Sequence, residues 1–332
     1  MAETVSHPRD TRRLLGHEAE EAAFASAMAS GRLHHAWLLT GPEGVGKASF
    51  AFMAARRLLG APADGKGGAL SSNPDHPVNR LVTARTHPDL MVLERLGEDG
   101  KARKVIPVDE ARQLPEFFSK SPAQAPFRVA IVDAADDLNI NAANAILKTL
   151  EEPPPRGVLL LVSHAPGRLL PTIRSRCRTL AFRAPPADMA ETIVRERSGL
   201  VGADAARLVR MAGGAPGLAL RMAALNILEI DDAAHQLLTH LQHPDPAPLL
   251  AMADSFRGAQ GADRFQMLFE RLSDRIRTMA VDQALSGKGS DLDRWADVWD
   301  LLERLPREAE ALNLDRADSF WTAVRALRAA AA

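Results

Sequence analysis

Cysteine is all but missing: Cys177 is the only one in a chain of 332 residues. One thiol excludes an intrachain disulfide and a multi-cysteine metal cluster, and it suits a reducing compartment such as the cytoplasm. An excess of charge is missing too. Lys and Arg number 41 against 42 Asp and Glu, a formal net charge of −1. No global field therefore draws in nucleic acid, and any DNA contact is local or made through a partner. No apolar run approaches the ~18 residues of a membrane span. The opening MAETVSHPRDTRR has no apolar stretch for a signal peptide.

The composition that is present, 46% hydrophobic and 25% charged, is ordinary for a globular protein. The length is too great for one typical core and fits two or three domains. Helix and strand patterns alternate in the first half. EAEEAAFASAMASG (18–31) reads as a helix stopped by glycine, and HAWLLTG (35–41) as a buried strand. ASFAFMAARRLLG (48–60) reads as an amphipathic helix and the Gly/Pro/Ser-rich 61–77 as a loop or small insertion. PDLMVLER (88–95), FRVAIVDAAD (127–136) and GVLLLVSH (157–164) hold strands. PVDEARQLPEFFSKSP (107–122) and NINAANAILKTLEEPP (139–154) read as helices, and PTIRSRCRTLAF (171–182) as a helical turn and a strand. Helices between buried strands imply a parallel sheet covered on both faces. After APP (184–186) the strands stop. One helical segment runs to about 228, broken by GGAPG (213–217), and a longer one follows. There Phe265, Leu268, Phe269, Leu272, Ile276 and Met279 form one apolar stripe at helical spacing, read as core or subunit packing.

The stretch GPEGVGKAS (41–49) follows a strand and opens a helix, the context that a phosphate-binding loop requires. Such a loop aims backbone N–H groups and a helix N-terminus at phosphate oxygens. The candidate nucleotide contacts are Gly41, Gly44, Gly46, Lys47 and Asp133. The pattern calls for Ser or Thr after the lysine to hold magnesium, and Ala48 stands there. Ser49 is one residue on along the helix, so its hydroxyl points elsewhere. The strand ending at Asp133 should continue with a glutamate to position water; Ala134 follows instead, and Asp136 and Asp137 lie too far along to replace it. Two such losses argue against hydrolysis. SRC (175–177) carries Arg176 at the end of a helical turn; by spacing alone it reads as a surface arginine or as one that reaches a neighbouring subunit.

Four stretches carry a resemblance: GRLHHAWLLTGPEGVGKAS (31–49), HPDL (87–90) with IPVDEAR (106–112), VDAADDLNINAANAILKTLEEPP (132–154) and LLPTIRSRC (169–177). Together they resemble the clamp-loader branch of the AAA+ family, in bacterial DNA polymerase III. The resemblance implies a RecA-like α/β domain with a parallel sheet (1–184), a small helical lid (185–228) and an all-α collar (229–332). It also implies a non-hydrolysing stator subunit in the cytoplasm, part of a hetero-pentamer with gamma/tau and delta subunits, that acts on the sliding clamp and primed DNA. Arg176 would then be catalytic in trans, facing ATP on an adjacent motor subunit.

Departures from the family pattern bear on cofactors. Many relatives carry a four-cysteine zinc module before the HPD motif, and 60–87 holds no cysteine. Asp75, His76, His87 and Asp89 are a poor substitute for thiolates, so no zinc is expected, and His76 and His87 read as loop and capping residues. Gly217 falls where motor subunits carry a nucleotide-sensing lid arginine. Lys47 survives, and two readings of it stand side by side: a relic that packs or pairs, or a ligand for ATP or ADP held without turnover. Lys148, Glu151 and Glu152 lie on the signature helix, where their expected role is to fix the domain edge. The competing function is an active gamma/tau-like motor. Against it stand Ala48, Ala134, Gly217, the missing cysteines and the lack of a long C-terminal extension. A nucleotide-binding regulator without ring partners is a third reading.

Overall fold

The structure, a computed structural model, describes residues 7–65, 67–95, 103, 105–200, 202–242, 245–257, 261–285 and 292–331. Two compact units follow one another, Met1–Arg221 and Met222–Ala332.

In the first unit α1 (Glu18–Ala29) leads to β1 (Ala36–Thr40), which is buried along its whole length. The glycine loop then opens α2 (Lys47–Leu58). The expected 61–77 loop region ends where a short helix, α3 (Pro77–Thr83), begins. Its start follows from local chemistry: His76 Nδ1 accepts from the Val78 N–H, and Pro77 occupies the first turn, where its missing donor costs nothing. β2 (Leu90–Glu94) follows. The expected helix over 107–122 is two pieces, α4 (Val108–Ala111) and α5 (Gln113–Ser119). Pro115 has no N–H to donate to the Ala111 carbonyl, and the helix breaks at Arg112.

β3 (Arg128–Asp133) is followed by α6 (Ile140–Glu151), capped by Asn139, whose side chain accepts from the Ala142 N–H at 2.9 Å. Next come β4 (Gly157–Ser163), α7 (Pro171–Ser175) and β5 (Arg178–Ala181), then three helices, α8 (Ala187–Ser198), α9 (Ala203–Met211) and α10 (Pro216–Ala224). The five strands pair in parallel in the order β2-β3-β4-β1-β5, a RecA-like sheet.

The two-residue period of a strand divides the core between the two faces of this sheet. Trp37, Leu39, Val129, Ile131 and Leu160 pack with Phe24, Phe50 and Phe52 of α1 and α2. The alternate residues Leu38, Ala130, Val132, Leu159 and Leu161 pack with Leu114, Ile146 and Leu150 of α5 and α6. Each large apolar side chain buried this way contributes roughly 1.5–3 kcal/mol before entropy is counted.

The second unit contains α11 (Ile227–Thr239), α12 (Pro246–Ser255), α13 (Gly261–Leu285), α14 (Leu292–Ala311) and α15 (Arg316–Ala330). The stripe of α13 lies in this unit's own core. Phe265, Leu268, Phe269, Leu272 and Ile276 are buried, and Phe265 meets Phe256 edge-on at 5.2 Å. Among the described residues no helix is long and apolar enough to cross a membrane.

Candidate functional site

The phosphate loop sits at the end of β1, and its glycines adopt left-handed torsions that ordinary side chains avoid. Gly46 caps α2 with φ 114°, and a Cβ there would meet Leu14 Cδ1 at 2.8 Å. The side chain of Lys47 turns back on its own loop. Its Nζ donates to the carbonyl oxygens of Gly41 at 2.7 Å and Pro42 at 2.5 Å. The residue is 2% exposed, and burial lowers its pKa from 10.5 to about 8 despite attraction from Asp133, Glu43 and Asp136. Asp133, at the end of β3, is pushed the other way. Burial, then the neighbouring Glu94, raise its pKa from 3.8 to about 6.

Lys47 and Asp133 line one cavity of about 410 Å³, together with Glu43, Arg197 and Arg221. Ala48 and Ala134 also line it, at the positions where a motor would hold magnesium and position water. Ser49 does not replace the hydroxyl: its Oγ donates to Thr11 Oγ1 at 3.1 Å. Neither later aspartate replaces the glutamate. Asp136 accepts from Ser163 Oγ at 2.9 Å and from the N–H groups of His164 and Ala165, and so ties β3 to the end of β4. Asp137 pairs with Arg95 at 3.0 Å.

The α8–α10 helices close over this loop at a point of unusual intimacy. The Gly217 N–H donates to the Gly44 carbonyl at 2.8 Å. A Cβ on Gly44 would run into the Leu218 N–H, and one on Gly217 would lie 2.8 Å from the Gly44 oxygen. Only two facing glycines permit this approach. One helical turn beyond Gly217, Arg221 bridges to Glu43 of the loop at 2.7 Å. Arg221, Arg197 and Glu43 were not singled out in the sequence. The one available signal was the spacing of four that puts Arg221 on the same face of α10 as Gly217.

Arg176 is not among the residues lining this cavity. It caps the C-terminus of α7, with its side chain 36% exposed. Its Nη1 donates to the Thr172 carbonyl at 3.1 Å, and its Nη2 lies 3.1 Å from Glu151 Oε1 at the end of α6. The structure thus brings Gly41, Gly44, Gly46, Lys47 and Asp133 together and leaves Arg176 apart from them. The adjacent Cys177 thiol is pushed up to about 12 by burial, far from a reactive thiolate.

The HPD motif has a structural explanation. The fully buried Asp89 carboxylate accepts from the N–H groups of Ala123, Gln124 and Ala125 at 2.7, 2.8 and 3.0 Å. His87 Nδ1 accepts from the Asp89 N–H at 3.1 Å. Both histidines at the expected insertion therefore act at chain turns. Among the described residues no group of three or more His, Cys, Asp or Glu is placed to hold a metal ion.

A parallel sheet of this order with a glycine loop at its β1 end defines a RecA-like protein of the phosphate-loop class. Residues 16–186 match the family model described as "DNA polymerase III, delta subunit", and the chain belongs to this clamp-loader family. Its similarity to delta-prime subunits agrees with the four stretches that carried the resemblance. It is 38% identical to the DNA polymerase III subunit delta' of Pseudomonas aeruginosa over 197 residues, 59% of this chain and 57% of that protein. It is 34% identical to the subunit delta' of Escherichia coli over 194 residues, 58% and 55% of the two chains. It is also 30% identical to the subunit gamma/tau of Mycobacterium tuberculosis over 308 residues, 84% of this chain and 51% of that one. The chain thus spans little more than half the length of these curated relatives.

Proposed function

We propose that this chain is a non-hydrolysing stator subunit of the DNA polymerase III clamp loader. It completes a neighbour's ATPase site with Arg176 while the sliding clamp is loaded onto primed DNA. Its partners are gamma/tau and delta subunits in a hetero-pentamer. The observation that supports this is the division of labour in the first unit. Its own cavity carries Ala48 and Ala134 where magnesium and water would be handled, whereas Arg176 stands outside that cavity with a partly exposed guanidinium. An arginine offered to a transferring phosphoryl group neutralises the charge that develops on its oxygens. ATP or ADP held in the chain's own cavity would have to draw Lys47 away from the Gly41 and Pro42 carbonyls, and would be held without turnover.

ATP turnover of the reconstituted complex, with clamp and primed DNA, tests this for wild type and Arg176→Ala. The lone chain should show none, and the variant should lower complex turnover with assembly intact. An arginine finger is worth roughly 10³–10⁵ in rate at a single GTPase site. The total falls by less, because the complex holds other sites. Unchanged turnover in an intact complex would overturn the trans role. The similarity to gamma/tau over 84% of the chain favours a second reading, an active motor. Hydrolysis by the lone chain would establish it.

A further inference from the structure

α6 ends on two glutamates, Glu151 and Glu152, before a run of prolines. Acidic side chains at a helix C-terminus face the negative end of the macrodipole and lose roughly 0.3–1 kcal/mol of helix stability. The ion pair that Glu151 makes with Arg176 does not offset this by much. The two side chains are 50% and 36% exposed, and such surface pairs contribute about 0–1 kcal/mol. Helix stability and surface pairing therefore leave Glu151 without a net stabilising role.

What the pair does is geometric. Glu151 holds Nη2 of Arg176 at 3.1 Å, and the Thr172 carbonyl accepts from Nη1 at 3.1 Å. A guanidinium carries five N–H donors in a rigid fork, and these bonds engage one on each terminal nitrogen. The others remain to meet an incoming anion while the fork is held. An unrestrained arginine loses about 2 kcal/mol of rotamer entropy when it is fixed, and a held one has lost it before the partner docks.

Building on the trans role of Arg176 proposed above, we infer that Glu151 is its positioning residue. It fixes the guanidinium so that the arginine enters the neighbour's site already aimed. Glu151 acts on the phosphoryl group only through Arg176.

A double-mutant cycle in the reconstituted complex tests this, with kcat and KM for ATP measured for Glu151→Ala, Arg176→Ala and the pair. Glu151→Ala should lower kcat at the served site by roughly three- to thirtyfold, the upper end set by the rotamer entropy of one arginine. KM for ATP and assembly, followed by gel filtration, should not move. Glu151→Gln, which keeps an acceptor but not the charge, should fall between. The double variant should match Arg176→Ala alone. If Arg176→Ala is impaired and Glu151→Ala equals wild type, Glu151 positions nothing and only this inference fails. If the double variant is worse than Arg176→Ala, Glu151 acts by another route and the inference also fails. If Arg176→Ala has no effect, the trans role itself falls and takes this inference with it.

Discussion

The ammonium of Lys47 lies 2.7 Å from the carbonyl oxygen of Gly41, six residues back in its own loop. In a working phosphate loop that lysine reaches outward to the phosphates. Here it donates to the loop's own carbonyls, and its burial has a consequence for stability. The folded pKa, about 8, is below the ordinary 10.5, so the fold disfavours the charged form. Between these values the unfolded chain binds more protons, and stability rises with pH.

Relative to Lys47→Met, wild type should therefore gain about 3 kcal/mol between pH 8 and pH 10.5. Urea unfolding of both proteins across that range measures it. Parallel curves would mean that the lysine titrates as in water.

The carboxyl of Asp133 carries the opposite sign. Its folded pKa of about 6 lies above 3.8, so the penalty for ionising it grows from pH 3.8 to 6 and stays in full above that. Asp133→Asn removes the penalty but also removes a counter-charge of Lys47. The variant should be more stable than wild type by about 1–3 kcal/mol at pH 7.5, with the advantage vanishing near pH 4. Denaturant midpoints at the two pH values decide the matter.

Gly217→Arg puts a long side chain where α10 rests on the loop. The side chain has no room 2.8 Å from the Gly44 oxygen, so α10 must lift from the loop. Gly44→Ala adds a clash with Leu218 to backbone strain at φ 77°. Each should lower the stability of the 203–221 region by about 1–3 kcal/mol, read as faster amide exchange there with the sheet unaffected. Unchanged protection would show that the two glycines are not needed for closure.

Asp89 is the buried anchor of the 121–126 segment. Burial opposes its charge, but three N–H donors and Arg128 outweigh it and hold the pKa below 3.8. Its stabilising contribution is present above 3.8 and is lost as pH falls through the folded pKa. Asp89→Ala should destabilise by about 3 kcal/mol or more at pH 7, since buried N–H groups lose their acceptor. Asn should rescue little, because its amide presents donors to donors. A variant within about 0.5 kcal/mol of wild type by urea unfolding would remove the anchoring role.

Much of the candidate site was legible before the structure. Ala48 and Ala134 stand at fixed offsets from the loop lysine and the strand aspartate, and such offsets survive folding because a helix or strand start fixes them locally. Arg221 escaped notice because its partner, Glu43, lies 178 residues away in the sequence. α3 escaped because it is only 7 residues long and is announced by a histidine cap and one proline, weak signals at the edge of a glycine-rich stretch.

The sequence by itself determined the alternation of elements, the two-faced burial of the strands and the presence of Ala48 and Ala134 beside the loop lysine and the strand aspartate. These depend on the period of apolar residues and on the identity of single residues. Only the tertiary structure decided that Lys47 faces inward, that Gly217 rests on Gly44, and that Glu151 holds Arg176. Each of these depends on where the ends of separate elements meet in space. That is set by how the two faces of the sheet pack, and no local pattern encodes it.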